Sequence, residues 1–318
     1  MTIERSAGGD GVKITVIGGG AMGSIYAGHL SEKNEVCLVD TNPEIVEQVR
    51  KRGIILLEKD QETAYHPCAV TSTRGMEPAE LIVLFVKSAF TRSALNDNRE
   101  IIGADTYLMT LQNGSGHEEI LEEFVSKDHI IIGTTEDNGT VLSPAYVRHG
   151  GTGKTNFGML AEDTVGILSK IKEAFDSCGF QSCIYENIQQ LVWDKLFTNV
   201  SLSALTGVLQ VPMGFIAGNQ HAWRIAEKLI HEAVETAHAL GLRADEKEIK
   251  EMVRLNSLNS PEGITSICAD IKAGRKTEVD AISGSVVRTA EKCGVPVPTH
   301  ELIVELIHAL EERTCQEK

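Results

Sequence analysis

The sequence predicts an α/β domain with a parallel sheet, followed by an all-α domain. Three features carry that reading. In the first part of the chain, short apolar, β-branched runs alternate with helical segments, the pattern of a right-handedly wound parallel sheet. A glycine-rich run stands at the first strand-to-helix junction. After Tyr185 the strand signals stop and only helical periodicity remains. The expected organisation is a disordered polar extension over 1–11, a first domain over 12–186 and a second over 187–318.

The 318 residues suffice for two sizeable cores. A net charge of −15 argues against nucleic acid or an anionic membrane as partner. A small anionic ligand would need local positive groups. No apolar run approaches the ~18 residues of a membrane span, and the N-terminal residues have no signal-peptide core. The seven cysteines lack C-x-x-C or Cys/His metal spacing. They read as reduced thiols in a cytoplasmic protein without a metal site.

Lys13-Ile14-Thr15-Val16-Ile17 reads as a buried strand. Gly18-Gly19-Gly20-Ala21-Met22-Gly23 follows at once, then a helix from Ser24 to Lys33 and a second strand, Glu35 to Val39, ending at Asp40. Gly18, Gly20 and Gly23 form G-x-G-x-x-G, and Asp40 stands 22 residues after Gly18. Strand, glycine loop, helix, strand and acid make up the fingerprint of a dinucleotide-binding, Rossmann-like domain. Gly18 permits the turn, Gly20 admits the pyrophosphate, and Gly23 lets helix and strand pack. The N–H groups around Ala21 and Met22 and the helix dipole hold the phosphates. Asp40 can accept the ribose hydroxyls of NAD and repel a 2′-phosphate. Thr41 and Asn42 bring no cation, and Arg50, Lys51 and Arg52 lie a helix away, so the residues favour NADH over NADPH.

Pro43 to Arg52 reads as a second helix, and Ile54 to Val70 as a hairpin insertion. Ala79 to Val86, Thr106 to Leu111 and His129 to Gly133 are further strands, ending at Lys87, Asn113 and Thr134. Helices are expected over Ser88 to Arg99 and Ser115 to Val125. The shared strand-end edge makes Lys87, Asn113 and Thr134 candidates for ligand contact, although a solvated lysine and an Asn-Gly turn need no function. Tyr146 to Gly150 and Lys154 to Gly158 read as antiparallel strands at a sheet edge. His149 there reads as structural. A helix over Thr164 to Cys178 and a strand over Gln181 to Tyr185 close the domain.

The second domain opens with a helix expected from Ile188 to Val208. Most of its sides are apolar, yet Lys195, Asn199 and Ser203 fall at i, i+4 and i+8. An ammonium on such a helix is costly to bury unpaired, so the stripe either faces a polar cleft or snorkels at an edge. About seven helices are expected in all. Ser260-Pro261 reads as the start of one that runs past Ser266. Thr277 reads as the N-cap of another, with Asp280 at its third position. A nicotinamide domain joined to a helical domain reads as a two-domain dehydrogenase with its active site between them. Lys195 would protonate the oxygen that gains charge on reduction, and Glu278 would orient it.

Four runs carry a family resemblance: Gly18 to Gly23, Gln112-Asn113-Gly114-Ser115-Gly116, Trp193-Asp194-Lys195-Leu196-Phe197-Thr198-Asn199, and Gly274-Arg275-Lys276-Thr277-Glu278-Val279-Asp280. Together they resemble the ketopantoate reductase (2-dehydropantoate 2-reductase) family, over about Lys13 to Ala309. The resemblance implies reduction of ketopantoate to pantoate on the way to coenzyme A, usually with NADPH. It implies Lys195 as general acid and Glu278 as its partner and a substrate contact. Lys87 and Asn113 fall near nicotinamide and substrate, and Asn199 and Ser266 at substrate positions. Three departures stand out. Ser203 and Gly263 replace asparagines common in the family, and Asp40-Thr41 lacks the arginine that NADPH-dependent members place there. A different 2-oxo acid on the same fold is therefore one alternative. A non-catalytic NAD-binding regulator is another, opposed by the full set of polar positions. A homodimer through the helical domain is compatible with the sequence.

Overall fold

The computed structural model describes residues 11–316, so the extension expected over 1–11 lies, but for Gly11, outside the described residues. The chain divides into two compact units. One runs to Gln112 and resumes over Glu118–Ile188. The other takes Asn113–His117 and everything from Gln189.

The first unit is built on β1 (Lys13–Ile17), α1 (Ala21–Leu30), β2 (Glu35–Val39), α2 (Pro43–Arg52), β3 (Ile54–Glu58), β4 (Gln61–Tyr65), β5 (Cys68–Val70), β6 (Leu81–Leu84), α3 (Thr91–Asp97) and β7 (Tyr107–Thr110). The short α4 (Glu118–Leu121) precedes β8 (Ile130–Thr135), β9 (Asn138–Ser143), β10 (Tyr146–Gly151), β11 (Lys154–Met159), α5 (Ile167–Asp176) and β12 (Gln181–Ile184). Eight strands form the main sheet in the order β12-β11-β8-β7-β6-β1-β2-β5. All its pairs are parallel except β11 with β8. β6, Leu-Ile-Val-Leu, is buried at every position, as a central strand covered on both faces requires.

Several sequence expectations are corrected here. Only β3 and β4 of the 54–70 segment form a hairpin, turning through Lys59 and Asp60 at φ 47° and 64°; β5 instead joins the main sheet beside β2. β10 and β11 lie in different sheets. β10 pairs antiparallel with β9 and parallel with β3, giving a second sheet ordered β4-β3-β10-β9. Thr134 is the penultimate residue of β8, which ends at Thr135; it is buried opposite Asn156 of β11. The helix expected over 115–125 shrinks to the single turn of α4.

The second sheet packs on α1 because Gly28 is small. A Cβ there would already lie 3.3 Å from the Tyr65 ring and 3.4 Å from Leu56. Tyr26, fully buried on α1, stacks on Phe180 at 4.5 Å and on Phe85 at 4.7 Å, and its hydroxyl lies 2.6 Å from the Thr155 hydroxyl. One ring thus joins helix, sheet and the last crossover.

The second unit contains α6 (Ile188–Thr198), a π-turn over Asn199–Ser203, α7 (Ala204–Leu209), α8 (Met213–Gly218), α9 (Gln220–Ala239), α10 (Glu246–Asn259), α11 (Ser266–Lys272), α12 (Ser283–Cys293) and α13 (Pro298–Gln316). α9 is its axis. Ala222, Ala226, Ala233 and Ala237 let neighbouring helices approach, while Leu229, Ile230 and Val234 fill the core. Two expected helix starts are displaced. α11 begins at Ser266, where Thr265 accepts from the Cys268 N–H; Ser260 instead ends α10 as its C-cap, and residues 260–263 fold as a turn. α12 begins at Ser283, since Thr277 accepts from Val279 N–H only two residues on, which closes a local turn rather than a helix cap.

α13 is anchored by a buried carboxylate. Glu232 accepts from the N–H groups of Thr299 and His300, each at 3.0 Å, at the positive end of the helix dipole. His300 Nε2 donates to the Leu229 carbonyl at 3.0 Å, and its Nδ1 is buried with no partner. Burial pushes this imidazole down to about 4 from its ordinary 6.5, although Leu229 and Glu232 oppose the shift. The unfolded chain therefore binds a proton here that the folded chain refuses. The stability this confers is complete above pH 6.5 and is lost as pH falls towards 4, by about 3 kcal/mol. His300→Gln keeps a donor but cannot titrate. Unfolding measured between pH 7.5 and 4.5 should show wild type losing stability relative to this variant by about that amount; a pH-independent difference would refute the assignment.

Candidate active site

The glycine loop is shaped by close approach. Gly18 sits at φ +107°, donates to the Val39 carbonyl at 2.8 Å, and would drive a Cβ to 2.8 Å from the Phe85–Val86 backbone. A Cβ on Gly23 would fall 1.7 Å from the Gly18 carbonyl oxygen. Only hydrogen at both positions lets α1 start this close to β1. Gly20 is exposed at the N-cap, makes no side-chain cap, and has nothing within 4 Å of a built Cβ. The first turn of α1 holds no acid. Its N–H groups, including those of Ala21 and Met22, have no acceptor within the helix. The residues fit the pyrophosphate of a dinucleotide: uncapped donors, a helix dipole and an open cradle.

Asp40 closes the loop from the other side. Its Oδ2 accepts from Gly19 N–H at 2.6 Å and its Oδ1 from Asn42 N–H at 2.8 Å. Asn42 in turn caps α2 through Glu44 N–H. The nearby cations are committed elsewhere. Arg50 Nε donates to the Ala69 carbonyl, Arg52 to the Pro144 carbonyl, and Lys51 pairs with Glu47. Lys87 is half-buried after β6, at the head of a one-turn helix, Ser88–Phe90. Gln112, which sequence reading passed over, orders that corner by donating to the Val86 carbonyl at 2.6 Å and to the Thr91 hydroxyl. An amide ending a buried strand was the available signal.

The second unit holds the remaining residues. Lys195 is half-buried on α6 among Trp193, Leu196 and Phe197, each 1% exposed. Asn199 is half-buried and opens the π-turn; Ser203, 7% exposed, ends it. Ala204 N–H reaches back five residues to the Asn199 carbonyl. Ser201 Oγ donates to the Phe197 carbonyl at 2.7 Å. The turn changes what the stripe means. In a regular α-helix, Ser203 would drift roughly 80° around the axis from Lys195. A π-turn, with roughly 4.4 residues per turn, brings it back to within about 10°. The continuous helix expected over 188–208 is therefore interrupted, and the interruption aligns the polar positions.

Asn113 follows the end of β7 by three residues and is grouped with this unit. Gly114 takes φ +101° with its Cα against the Ala281 carbonyl, where a Cβ would lie at 2.0 Å. Ser115 N–H donates to the same carbonyl at 3.0 Å, and His117 Nε2 donates to the Asn113 carbonyl at 3.0 Å. The loop is thus held to the turn that carries Glu278. In that turn the Glu278 carbonyl accepts from Ala281 and Ile282 N–H. Thr277 N–H donates to Glu311 of α13 at 2.7 Å. Glu311 is 6% exposed in its side chain; burial acts to raise its carboxyl, but Thr277 and His308 hold it below the usual range. Glu278 itself is half-buried. Ser266 is exposed at the first position of α11, whose partner α7 is tied to it by the buried Thr206–Thr265 hydroxyl pair at 2.7 Å. Gly263 is cramped: a Cβ would meet the Ser260 carbonyl at 3.0 Å and Met213 Sδ at 3.1 Å.

The structure thus gathers Asn113, Lys195, Asn199, Ser203, Ser266 and Glu278 in one unit. Gly18, Gly20, Ala21, Met22, Gly23, Asp40 and Lys87 lie in the other.

Comparison with known proteins matches both units. The family model of ketopantoate reductase PanE/ApbA covers residues 14–162, and that of its C terminal covers 187–311. The 2-dehydropantoate 2-reductase of Pyrococcus horikoshii is 30% identical over 301 residues, spanning 94% of this chain and 98% of its own. That of Halobacterium salinarum is 29% identical over 299 residues, 93% of this chain and 98% of its own. Among solved structures, the ternary complex of D-mandelate dehydrogenase with NADH and anilino(oxo)acetate superposes with a TM-score of 0.87 at 28% identity, over 95% of this chain and 99% of that one. No helix among the described residues is long and apolar enough to cross a membrane. With the two family models met in order, one in each unit, and relatives aligned along nearly their whole length, the chain belongs to the ketopantoate reductase family.

Proposed function

We propose that the chain reduces the ketone of a small 2-oxo acid, ketopantoate first, with NADH. The observation that carries this reading is the stripe of Lys195, Asn199 and Ser203 across the π-turn, flanked by the buried Trp193, Leu196, Phe197 and Val200. The dinucleotide would be held by the uncapped first turn of α1 and by Asp40, with Lys87 and Asn113 at the nicotinamide end. When bound, its reduced nicotinamide supplies the hydride that the substrate's C2 takes up.

The chain's own residues then supply the rest. Lys195, as an ammonium, neutralises the charge that grows on the C2 oxygen and delivers a proton to it. Its apolar flanks exclude water, which strengthens that interaction. Glu278 orients the ammonium and accepts from substrate hydroxyls. Asn199, Ser203 and Ser266 fix the remaining polar groups of the acid.

Asp40 supports NADH over NADPH on two grounds. Its charge would face a 2′-phosphate, and the three cations of the following helix, Arg50, Lys51 and Arg52, are turned to other partners. Each of its oxygens carries one protein hydrogen bond and keeps capacity for a ribose hydroxyl. A second reading, reduction of a bulkier 2-oxo acid, draws on Ser203 and Gly263. A serine leaves room where the family often has asparagine, and a side chain at Gly263 would press on the Ser260 carbonyl and Met213. The likeness to a D-mandelate dehydrogenase holding an aryl oxo-acid points the same way.

Steady-state rates with ketopantoate and with an aryl 2-oxo acid decide between the substrates: a kcat/KM favouring the aryl acid would replace the first reading by the second. Lys195→Ala should lower kcat by roughly 100-fold or more while cofactor affinity, followed by nicotinamide fluorescence, is retained; a near-wild-type kcat removes Lys195 as general acid. For the cofactor, kcat/KM should favour NADH. Asp40→Asn, which can still accept from Gly19 N–H, should reduce that preference by about ten-fold, one charge interaction of about 1.4 kcal/mol. An NADPH preference in the wild type would overturn the Asp40 assignment.

A further inference from the structure

Away from the glycine loop, at the far end of α1, four ionisable side chains meet that neither hydride transfer nor substrate binding uses. His29 stands in the last turn of α1, Glu58 ends β3, His149 lies on β10, and Asp137 lies between β8 and β9. His149 is 4% exposed in its side chain and Asp137 2%. Glu58 Oε1 lies 2.5 Å from His149 Nδ1 and 3.2 Å from His29 Nε2, so two imidazoles converge on one carboxylate oxygen. His149 Nε2 lies 3.2 Å from Asp137 Oδ1. Asp137 is itself fixed by Gly153 N–H, the Thr135 hydroxyl and the Tyr26 hydroxyl.

We propose that His29, Glu58 and His149 form a binding site for a divalent transition cation of the zinc type. Their three donor atoms all lie within 4.8 Å of one another. Around a four-coordinate ion with bonds of about 2.0–2.1 Å, ligand atoms sit roughly 3.3 Å apart, so small side-chain shifts suffice. Two imidazoles and one carboxylate suit zinc, cobalt or nickel and not magnesium or calcium, which need oxygen cages. Asp137 completes the arrangement. It accepts from His149 Nε2–H, fixing the tautomer that leaves Nδ1 to face the ion, as a carboxylate does behind most ligating histidines. The cluster opens into a cavity of about 480 Å³ that also reaches Glu32, Tyr65 and Cys178, with room for the water that fills the remaining coordination.

The three ligands come from α1, the β3–β4 hairpin and the β9–β10 hairpin. A bound ion would therefore staple the second sheet to the helix that opens the dinucleotide loop. Without the ion, the same groups form a hydrogen-bonded chain in which Asp137 and then Glu58 raise the proton affinity of His149, against burial. The charged or titratable groups facing His149 are Glu58 on β3, His29 on α1 and Asp137; Tyr65 on β4 lies over His29.

Calorimetric titration of the chelator-treated full chain with Zn²⁺ at pH 7.5 tests the site, with Mg²⁺ as the contrasting ion. One Zn²⁺ should bind per chain, Mg²⁺ should give no binding, and Zn²⁺ should raise the Tm. His29→Ala removes a half-exposed ligand and leaves the buried His149–Asp137 pair in place. It should weaken Zn²⁺ binding by roughly ten-fold or more and abolish the rise in Tm. Glu58→Gln should do the same, and circular dichroism checks that each variant is folded. Should Glu58→Gln not fold, His29→Ala alone decides. Absence of stoichiometric Zn²⁺ binding by the wild type, or undiminished binding by folded His29→Ala, would overturn the proposal.

Discussion

The first unit depends on one contact: α1 begins so close to β1 that a Cβ on Gly23 would sit 1.7 Å from the Gly18 carbonyl oxygen. That approach aims an uncapped helix N-terminus at the carboxyl ends of the parallel strands, where ligands bind in such sheets. It also fixes the rest of α1. Tyr26 must then lie among Phe85, Phe175 and Phe180, and Gly28 must face the second sheet. The helix dipole points its positive end at the loop. Its C-terminal end carries His29, a cation acceptable there by the same dipole. One helix thus positions an anion cradle at one end and a histidine–carboxylate cluster at the other.

In the second unit the comparable constraint is the widening of α6 at Asn199. A π-turn leaves carbonyls without their usual donors, and Ser201 answers by donating to the Phe197 carbonyl. Such turns are rare and are found mostly where a side chain has to be re-aimed. Here the gain is a polar line beside the core residues Trp193, Leu196 and Phe197. Gly114 does related work by close approach, holding the Asn113 loop to the carbonyl of Ala281, three residues beyond Glu278. The loop and the turn are therefore joined at the Ala281 carbonyl, and Glu311 of α13 holds the turn through Thr277 N–H.

What the sequence disclosed follows from how local each signal is. Buried strands such as β6 and the glycine loop are legible because period, composition and spacing are complete within a few residues. The switch to an all-helical half is legible for the same reason. Features set by partners far along the chain are not. Asn113 is legible as a residue just past a strand end, but the tie of its loop to the Ala281 carbonyl, far downstream, is not. β10 and β11 read as one hairpin, but β10 finds β3, nearly a hundred residues earlier. Thr277 has the spacing of a helix cap, yet Glu311 takes its N–H and the chain turns instead. The π-turn leaves no composition signal at all, since Ser201 is an ordinary core serine until its acceptor is known. His149 reads as structural in isolation; His29, Glu58 and Asp137, from three other segments, give it chemistry.

Asp40 links fold and cofactor choice through one carboxylate. Its Oδ2 receives the Gly19 N–H, and its Oδ1 receives the N–H of Asn42, which caps α2. An acid in this place is therefore part of the glycine loop's own hydrogen bonding as well as the ribose partner in the proposed function. Replacing it with the arginine of NADPH-dependent relatives would remove an acceptor from Gly19 N–H and leave that donor to water or to the ligand. The neighbouring cations could not take over without abandoning the carbonyls of Ala69 and Pro144. The NADH preference proposed above draws on the loop, the α2 cap and the contacts of Arg50 and Arg52 together, so on that proposal a single exchange at Asp40 weakens the preference without building a phosphate site.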